Sequence, residues 1–361
     1  MIELDGSHRE GGGALVRVAL ALSALTGQEF NVINIRAGRK DPGLKAQHLE
    51  AIKALQQICQ AKTNEIALGS TELQFTPGKI KSGTYEINIG TAGSITLLLQ
   101  ALILPCMVAP SKITLTITGG TCGKWQASVD YLQNVLLPHL RKFVEKIDLK
   151  ILKRGYYPKG GGKVLLEIRP KFKKYAEMPG TVPLINLVEP GTLEQIRGVV
   201  NVSSELQEKN VAERISSAAQ ESLKKYAVPC TLRTEYAAAP SIGGDALLWA
   251  VFSTHGDIPD HNPVILGSDA LVEPSKSSER IGKEAAEKLA IEIDSGAAVD
   301  HYVADQLIPF MALLPGSTIN ASAVSNHAQT NIYVVEKFLP VKFMVEGKSI
   351  RCVSGNDRRL K

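Results

Sequence analysis

No apolar run in this 361-residue chain approaches the ~20 residues needed to span a bilayer, so no membrane helix is expected. The first twenty residues carry Glu3, Asp5, Arg9 and Glu10 and no apolar h-region, so no secretory signal is read and a cytoplasmic protein is expected. Cysteine is sparse and scattered. Cys59, Cys106, Cys122, Cys230 and Cys352 are odd in number and form no C-x-x-C pair, which argues against a disulfide framework and against a zinc site. The glycine-rich segments match neither G-x-x-x-x-G-K-[ST] nor G-x-G-x-x-G, so neither a Walker A loop nor a dinucleotide-binding fold is indicated.

What is present is the composition of an ordinary soluble protein, 44% hydrophobic and 21% charged. The length suits two domains, or one large domain carrying an insertion. The net charge of +5 is unevenly placed: residues 141–174 hold twelve Lys or Arg against Glu145, Asp148 and Glu167. Such a block suits a polyanionic partner and equally a solvated basic face.

Along the chain, a short strand at Met1-Ile2-Glu3-Leu4 precedes Gly11-Gly12-Gly13 and an apolar helix from Ala14 to about Leu25. The pattern recurs: Tyr85–Ile89 alternates like a half-buried strand, Gly90-Thr91-Ala92-Gly93-Ser94 is a small-residue turn, and Ile95 to Met107 reads as a helix that Pro105 should bend or end. A third version is read after Gly316 without its glycine turn. Asn31–Arg36 and Lys112–Thr118 have the alternation of strands, and Gln47–Cys59 and Val129–Phe143 read as helices. These units imply an α+β fold of three repeated sheet-and-helix units forming a large domain, residues 1–182 and 298–361. A smaller α/β domain, residues 183–297, is inserted. Within it, Arg197–Ser203, Thr231–Tyr236 and Leu247–Ser253 read as strands, Asn210 with Glu213 as the capped start of a helix running to about Tyr226, and Glu279–Ile293 as another helix.

Glu10-Gly11-Gly12-Gly13 stands directly before a helix, where backbone N–H groups approach a phosphate without Cβ obstruction. A plain strand-to-helix turn would read the same. Glu10 adds a hard oxygen ligand suited to a Mg²⁺ that keeps most of its waters. Arg36, Arg39, Lys40 and Lys45 cluster around a Gly and Pro turn, and Arg17 lies one helical turn beyond the first glycine loop. Together they could form an anion-binding wall, or a solvated loop. The stretch Ser325-Asn326-His327-Ala328-Gln329-Thr330-Asn331-Ile332 places one imidazole among small and amide residues, before the strand-like Tyr333–Phe338. An imidazole titrates near neutral pH and needs no base to be nucleophilic, so His327 is the best candidate nucleophile.

Taken in order, these pieces carry a resemblance. Glu10-Gly11-Gly12-Gly13 with Arg17, Ile35-Arg36-Ala37-Gly38-Arg39 with Gln47-His48-Leu49, Ala92-Gly93-Ser94 with Gln100, Tyr156-Tyr157-Pro158-Lys159-Gly160-Gly161-Gly162, Asp305-Gln306-Leu307 and His327 with Thr330-Asn331-Ile332 span essentially the whole chain. The set resembles the RNA 3′-terminal phosphate cyclase family. The resemblance implies the large repeated domain with a late insertion, similar to the C-terminal domain of a bacterial translation initiation factor and to halves of enolpyruvyl transferases. It also implies a reaction in which His327 takes AMP from ATP and passes it to an RNA 3′-phosphate. The neighbouring 2′-hydroxyl then displaces AMP, leaving a 2′,3′-cyclic phosphate. Gln100, Tyr302, Val303, Ala304, Asp305 and Gln306 would form the nucleotide pocket, with the Tyr302 ring stacked on adenine. Asp305 would orient His327 or meet the ribose. Arg17, Arg36, Arg39 and Gln47 would receive phosphate, and Glu10 a divalent metal, Mg²⁺ or Mn²⁺.

Two departures from the family's pattern stand out. After Gly119-Gly120-Thr121, where many relatives continue with an acidic residue and a proline-rich run, this chain reads Cys122-Gly123-Lys124-Trp125-Gln126-Ala127-Ser128; Tyr131 or Trp125 would compensate at the base pocket. Ala14 stands where relatives often have a polar amide. The competing readings are a catalytically silent relative serving ribosome assembly, expected to lack the histidine and part of the arginine set, and an enolpyruvyl transferase, which needs neither His327 nor an insertion.

Overall fold

Three stretches of the chain fold into the same four-stranded pattern. The computed structural model describes residues 1–9, 11–254 and 256–355. The first unit runs β1 (Ile2–Asp5), α1 (Ala14–Thr26), β2 (Phe30–Ile33), α2 (Ala46–Cys59), β3 (Lys62–Thr63) and β4 (Leu73–Thr76). Its sheet has the order β1-β2-β4-β3, the first pair parallel and the others antiparallel. The second unit begins with β5 (Gly83–Asn88), α3 (Ile95–Cys106) and β6 (Ile113–Gly119). A broken helical run containing α4 (Val129–Tyr131) and α5 (Leu137–Leu140) leads to β7 (Val144–Lys153) and β8 (Gly162–Pro170). The order β5-β6-β8-β7 repeats the first, again with one parallel pair.

The third unit opens with β9 (Asn186–Leu187) and is then interrupted. The interruption holds β10 (Thr192–Ser203), α6 (Val211–Leu223), β11 (Cys230–Ala237), β12 (Gly244–Ser253), β13 (Val264–Leu271) and α7 (Ser278–Asp294). These strands form their own sheet, β11-β10-β12-β13, against which α6 and α7 pack. The third unit resumes with α8 (His301–Met311), β14 (Thr318–Asn320), α9 (Asn326–Phe338), β15 (Val341–Glu346) and β16 (Ser349–Ser354), and closes as β9-β14-β16-β15. The architecture is α+β, as its repeats implied.

The central helix explains why the units cohere. Every residue of α1 from Ala14 to Leu25 is buried, the signature of a helix wrapped on all sides. It packs against α3, α9 and α2, and α8 packs on α9.

Several local readings are corrected. Tyr333–Phe338 is the second half of α9 and not a strand. Tandem Val334-Val335 beside aromatics has strand propensity, but Ala328, Asn331, Val334, Val335 and Phe338 are buried at helical spacing and packing overrides propensity. Val129–Phe143 is not one helix. Residues Leu132–Leu136 form a π-helical turn between α4 and α5, because Pro138 has no N–H to donate and its ring crowds the carbonyl four residues back. Asn210 makes no side-chain cap; it sits at φ 50° and closes the preceding 3₁₀ turn by donating its N–H to the Gln207 carbonyl.

Part of the basic block is interior. Lys142 donates to Asn262 Oδ1 at 2.7 Å and to the Leu184 carbonyl. Arg154, 3% exposed, donates to Asp130 Oδ1 at 3.0 Å and to both Glu235 carboxylate oxygens at 3.0 Å, tying the second unit to β11. Among the described residues, no helix is long and apolar enough to cross a membrane.

Candidate active site

The first helix of each unit sends one polar side chain to a common point. Arg17 on α1 donates from Nε to Gln100 Oε1 on α3 at 2.8 Å, and Gln100 Nε2 donates to Gln306 Oε1 on α8 at 3.3 Å. Gln306 Nε2 in turn reaches the Tyr302 carbonyl at 3.3 Å. Arg17 is nearly buried, so this relay fixes a cation that would otherwise be costly to desolvate. The three side chains line a cavity of about 110 Å³ together with Tyr302, Asp305, Trp125 and His327. Its remaining wall is mostly apolar, with Leu132, Leu136, Pro309 and Phe310, and includes the polar Thr96, Gln126 and Asn331.

His327 reaches the cavity from the first turn of α9. Ser325 caps that helix, its Oγ accepting from Ala328 N at 3.0 Å and donating to Asp305 Oδ1 at 2.6 Å. Asn331 Nδ2 donates to the Asp305 carbonyl at 2.8 Å. Two bonds therefore clamp α9 to α8 on either side of His327, and the positive end of α9 sits beside the imidazole, where it favours an anionic group. Ser325 and Asn331 stood in the quoted run around His327 and were not assigned to the site, although Ser325 followed by a helical pattern is an N-cap signal.

Tyr302 is held as firmly. Asp300 caps α8 through Oδ1, which accepts from Tyr302 N and Val303 N at 2.9 Å each and from the Tyr131 hydroxyl at 2.5 Å. Its Oδ2 accepts from Gly267 N at 2.8 Å. Burial pushes the Asp300 carboxyl up to about 6. The Tyr131 ring meets Tyr302 edge-on with centroids 5.8 Å apart, and burial raises the Tyr302 hydroxyl to about 12, so it stays a neutral aromatic surface.

The glycine loop and the arginine turn abut. A Cβ on Gly11, which has φ +55°, would lie 2.7 Å from Gly38 N in the turn between Arg36 and Arg39. A Cβ on Gly13 would lie 2.5 Å from His48 Nε2 and 2.9 Å from Arg17 Nη1. His48 is buried on α2 with its Nδ1 accepting from Lys45 N at 3.0 Å, and Nε2 has no hydrogen-bond partner among the described residues. Burial, with Arg17, Arg36 and Lys45 nearby, lowers its pKa to about 3, so the ring is neutral and carries its proton on Nε2. A buried N–H beside a Gly–Arg cradle suits an anionic oxygen. His48 stood in the quoted run Gln47-His48-Leu49 and was not assigned to the site. Gly13→Ala is expected to displace His48 and Arg17 and to cut turnover by roughly 10²-fold, as misplacement of about 1 Å does. Steady-state kinetics with melting curves checks it; wild-type turnover in the variant would show the cradle to be slack.

Arg36 Nη1 donates to the Asp41 carbonyl at 2.6 Å and to the Gly43 carbonyl at 3.1 Å, closing its own loop. Arg39 is exposed on that loop, and Gln47 is half-buried in the first turn of α2. Val303 and Ala304 are fully buried and do not line the cavity. The cavity-facing stripe of α8 recurs at i, i+3, i+4 and i+7, which selects Tyr302, Asp305, Gln306 and Pro309 and leaves Val303 and Ala304, at i+1 and i+2, turned into the core. The Glu10 assignment lies outside the described residues. Among those residues, no group of three or more His, Cys, Asp or Glu could hold a metal ion.

A family model described as RNA 3′-terminal phosphate cyclase matches residues 8–345. The chain is 41% identical over 353 residues to a protein of Archaeoglobus fulgidus named RNA 3′-terminal phosphate cyclase, covering 97% of this chain and 99% of that protein. Proteins of the same name from Methanopyrus kandleri and Pyrococcus abyssi are 38% and 40% identical, each match covering 96% of both chains.

Proposed function

This chain belongs to the RNA 3′-terminal phosphate cyclase family, and on that premise we propose that it uses ATP to convert an RNA 3′-phosphate to a 2′,3′-cyclic phosphate, with His327 as the transient carrier of AMP. An imidazole nitrogen of His327 attacks the α-phosphorus of ATP and pyrophosphate leaves. An oxygen of the RNA 3′-phosphate then attacks the same phosphorus, freeing the imidazole and forming an RNA-adenylate anhydride. The adjacent 2′-hydroxyl attacks the RNA phosphorus, loses its proton, and AMP departs. The last step is intramolecular, so the activated phosphate meets its nucleophile at very high effective concentration.

The observation that carries this reading is the single cavity shared by His327, Arg17, Gln100 and Tyr302, drawn from four helices. Tyr302 offers a neutral ring for adenine, and Arg17, with the neutral N–H of His48 behind Gly13, offers donors to phosphate. Asp305, which accepts from Ser325, would meet the ribose or orient His327. Arg36, Arg39 and Gln47 would extend the phosphate wall. A divalent ion that keeps its waters and bridges phosphates needs only one or two carboxylates. Glu10 is the residue we assign to it, as Mg²⁺ or Mn²⁺. The division into a large domain, 1–182 and 298–361, and an inserted one, 183–297, is likewise our proposal. Asn186–Leu187 would count with the large domain, since β9 pairs with β14. We place the protein in the cytoplasm.

The test compares RNA ending in 3′-phosphate with the same RNA ending in 3′-hydroxyl. The phosphorylated RNA is expected to be consumed with release of pyrophosphate and AMP, and the hydroxyl RNA to be left unchanged. Equal consumption of both would refute phosphate-directed chemistry.

A further inference from the structure

Trp125 is the most exposed large apolar residue among the described residues, 93% exposed, and it stands on the rim of the cavity that contains His327. Its backbone lies at φ +62°, the left-handed region that a bulky aromatic rarely enters. Strained positions of this kind persist where the surrounding structure imposes them, and they cluster at ligand clamps. The loop is fixed on both sides of it. Lys124 Nζ meets Glu273 Oε1 at 2.6 Å, and the Ala127 carbonyl accepts from Thr96 Oγ1 at 2.7 Å. Among the described residues no ring stacks on the indole and no hydrogen bond holds it. The fold therefore holds a large aromatic surface out toward solvent beside the candidate nucleophile.

The chemistry above brings two nucleotides to one imidazole, one carrying the AMP and one carrying the RNA phosphate. Two nucleobases must then lie near His327. The inner end of the cavity, with Tyr302, Leu132, Leu136 and Phe310, can accept one of them. Trp125 lies at the outer rim, where a strand end arrives from solvent. Ends of RNA strands are commonly recognised by unstacked bases laid on aromatic rings, a contact that tolerates any base.

We propose that Trp125 is the stacking platform for the nucleobase of the RNA's 3′-terminal nucleotide, which sets its phosphate against His327. The inference rests on the reading of this site as an RNA 3′-phosphate cyclase. It predicts tolerance of base identity at that position together with a requirement for a base.

The chain has two tryptophans, and the other, Trp249, is 9% exposed on β12, so a Trp249→Phe background leaves Trp125 as the only indole. In that background, and without ATP, a short RNA ending in 3′-phosphate should quench the fluorescence strongly. The same RNA with an abasic terminal nucleotide should not, and ATP alone should have little effect. Trp125→Ala and Trp125→Gly should each raise KM for the RNA by roughly 5- to 100-fold, the worth of one base–aromatic stack, with KM for ATP unchanged. Trp125→Phe should recover most of the loss. The glycine variant separates the roles, because it relieves the left-handed backbone while removing the ring. Wild-type KM for RNA in that variant, or quenching that follows ATP and ignores RNA, would overturn the proposal. The binding arm needs no turnover, so it decides the matter even if cyclisation itself were not observed; absence of cyclisation would count against the catalytic reading alone.

Discussion

His327→Ala is expected to lower cyclisation by roughly 10⁴-fold or more, because it removes the atom that forms the covalent bond and leaves only binding and electrostatic stabilisation. The same change should alter stability by no more than about 0.5 kcal/mol, since His327 is only half-buried in the first turn of α9 and alanine is a good helix former. RNA binding should persist, because Arg17, Trp125 and the glycine cradle are untouched. Single-turnover rates with 3′-phosphorylated RNA, read beside urea midpoints, separate the two effects. A variant that folds and still cyclises at a tenth of the wild-type rate would remove His327 from the reaction.

The second large effect is structural. Arg154→Met is expected to destabilise the protein by about 3–5 kcal/mol, because it leaves the fully buried Asp130 carboxylate without its cation. Adding Asp130→Asn should recover a good part of that loss, since an amide tolerates burial where an unpaired charge does not. The pH dependence has a definite sign. The Arg154 hydrogen bond, against the opposing effect of burial, holds the Glu235 carboxyl below its ordinary value of 4.5. That contribution is present in full above the ordinary value and is lost as pH falls through the depressed one. The gap between wild type and Arg154→Met should therefore narrow on acidification below about pH 4. Urea unfolding at neutral and acid pH checks both statements; a neutral-pH difference under 1 kcal/mol would show the network to be dispensable.

The repeated units were legible because strand, small-residue turn and apolar helix recur with intact periodicity in α1 and α3, where almost every residue is buried. The third copy was harder to see. Its first strand is only Asn186–Leu187, and the 192–294 stretch separates it from its helix, so no contiguous pattern exists to recognise. α9 was misread in its second half because Tyr333, Val334 and Val335 individually favour strands, whereas burial on one face and the Ser325 cap decide for helix. His327, Gln100, Arg17, Tyr302, Asp305 and Gln306 were all named from the chain and share one cavity. Val303 and Ala304 were carried along by sequence adjacency, which a helix does not respect. Ser325, Asn331 and His48 act by holding or backing their neighbours, and only the folded chain brings their partners within reach.

The most direct measurement follows the α-phosphate. The protein is incubated with Mg²⁺ and ATP labelled at that position, without RNA, and then denatured. The account predicts label covalently attached to the wild-type chain, labile to acid as a phosphoramidate is, discharged by RNA ending in 3′-phosphate, and absent from His327→Ala. Label retained by His327→Ala at the wild-type level would contradict it.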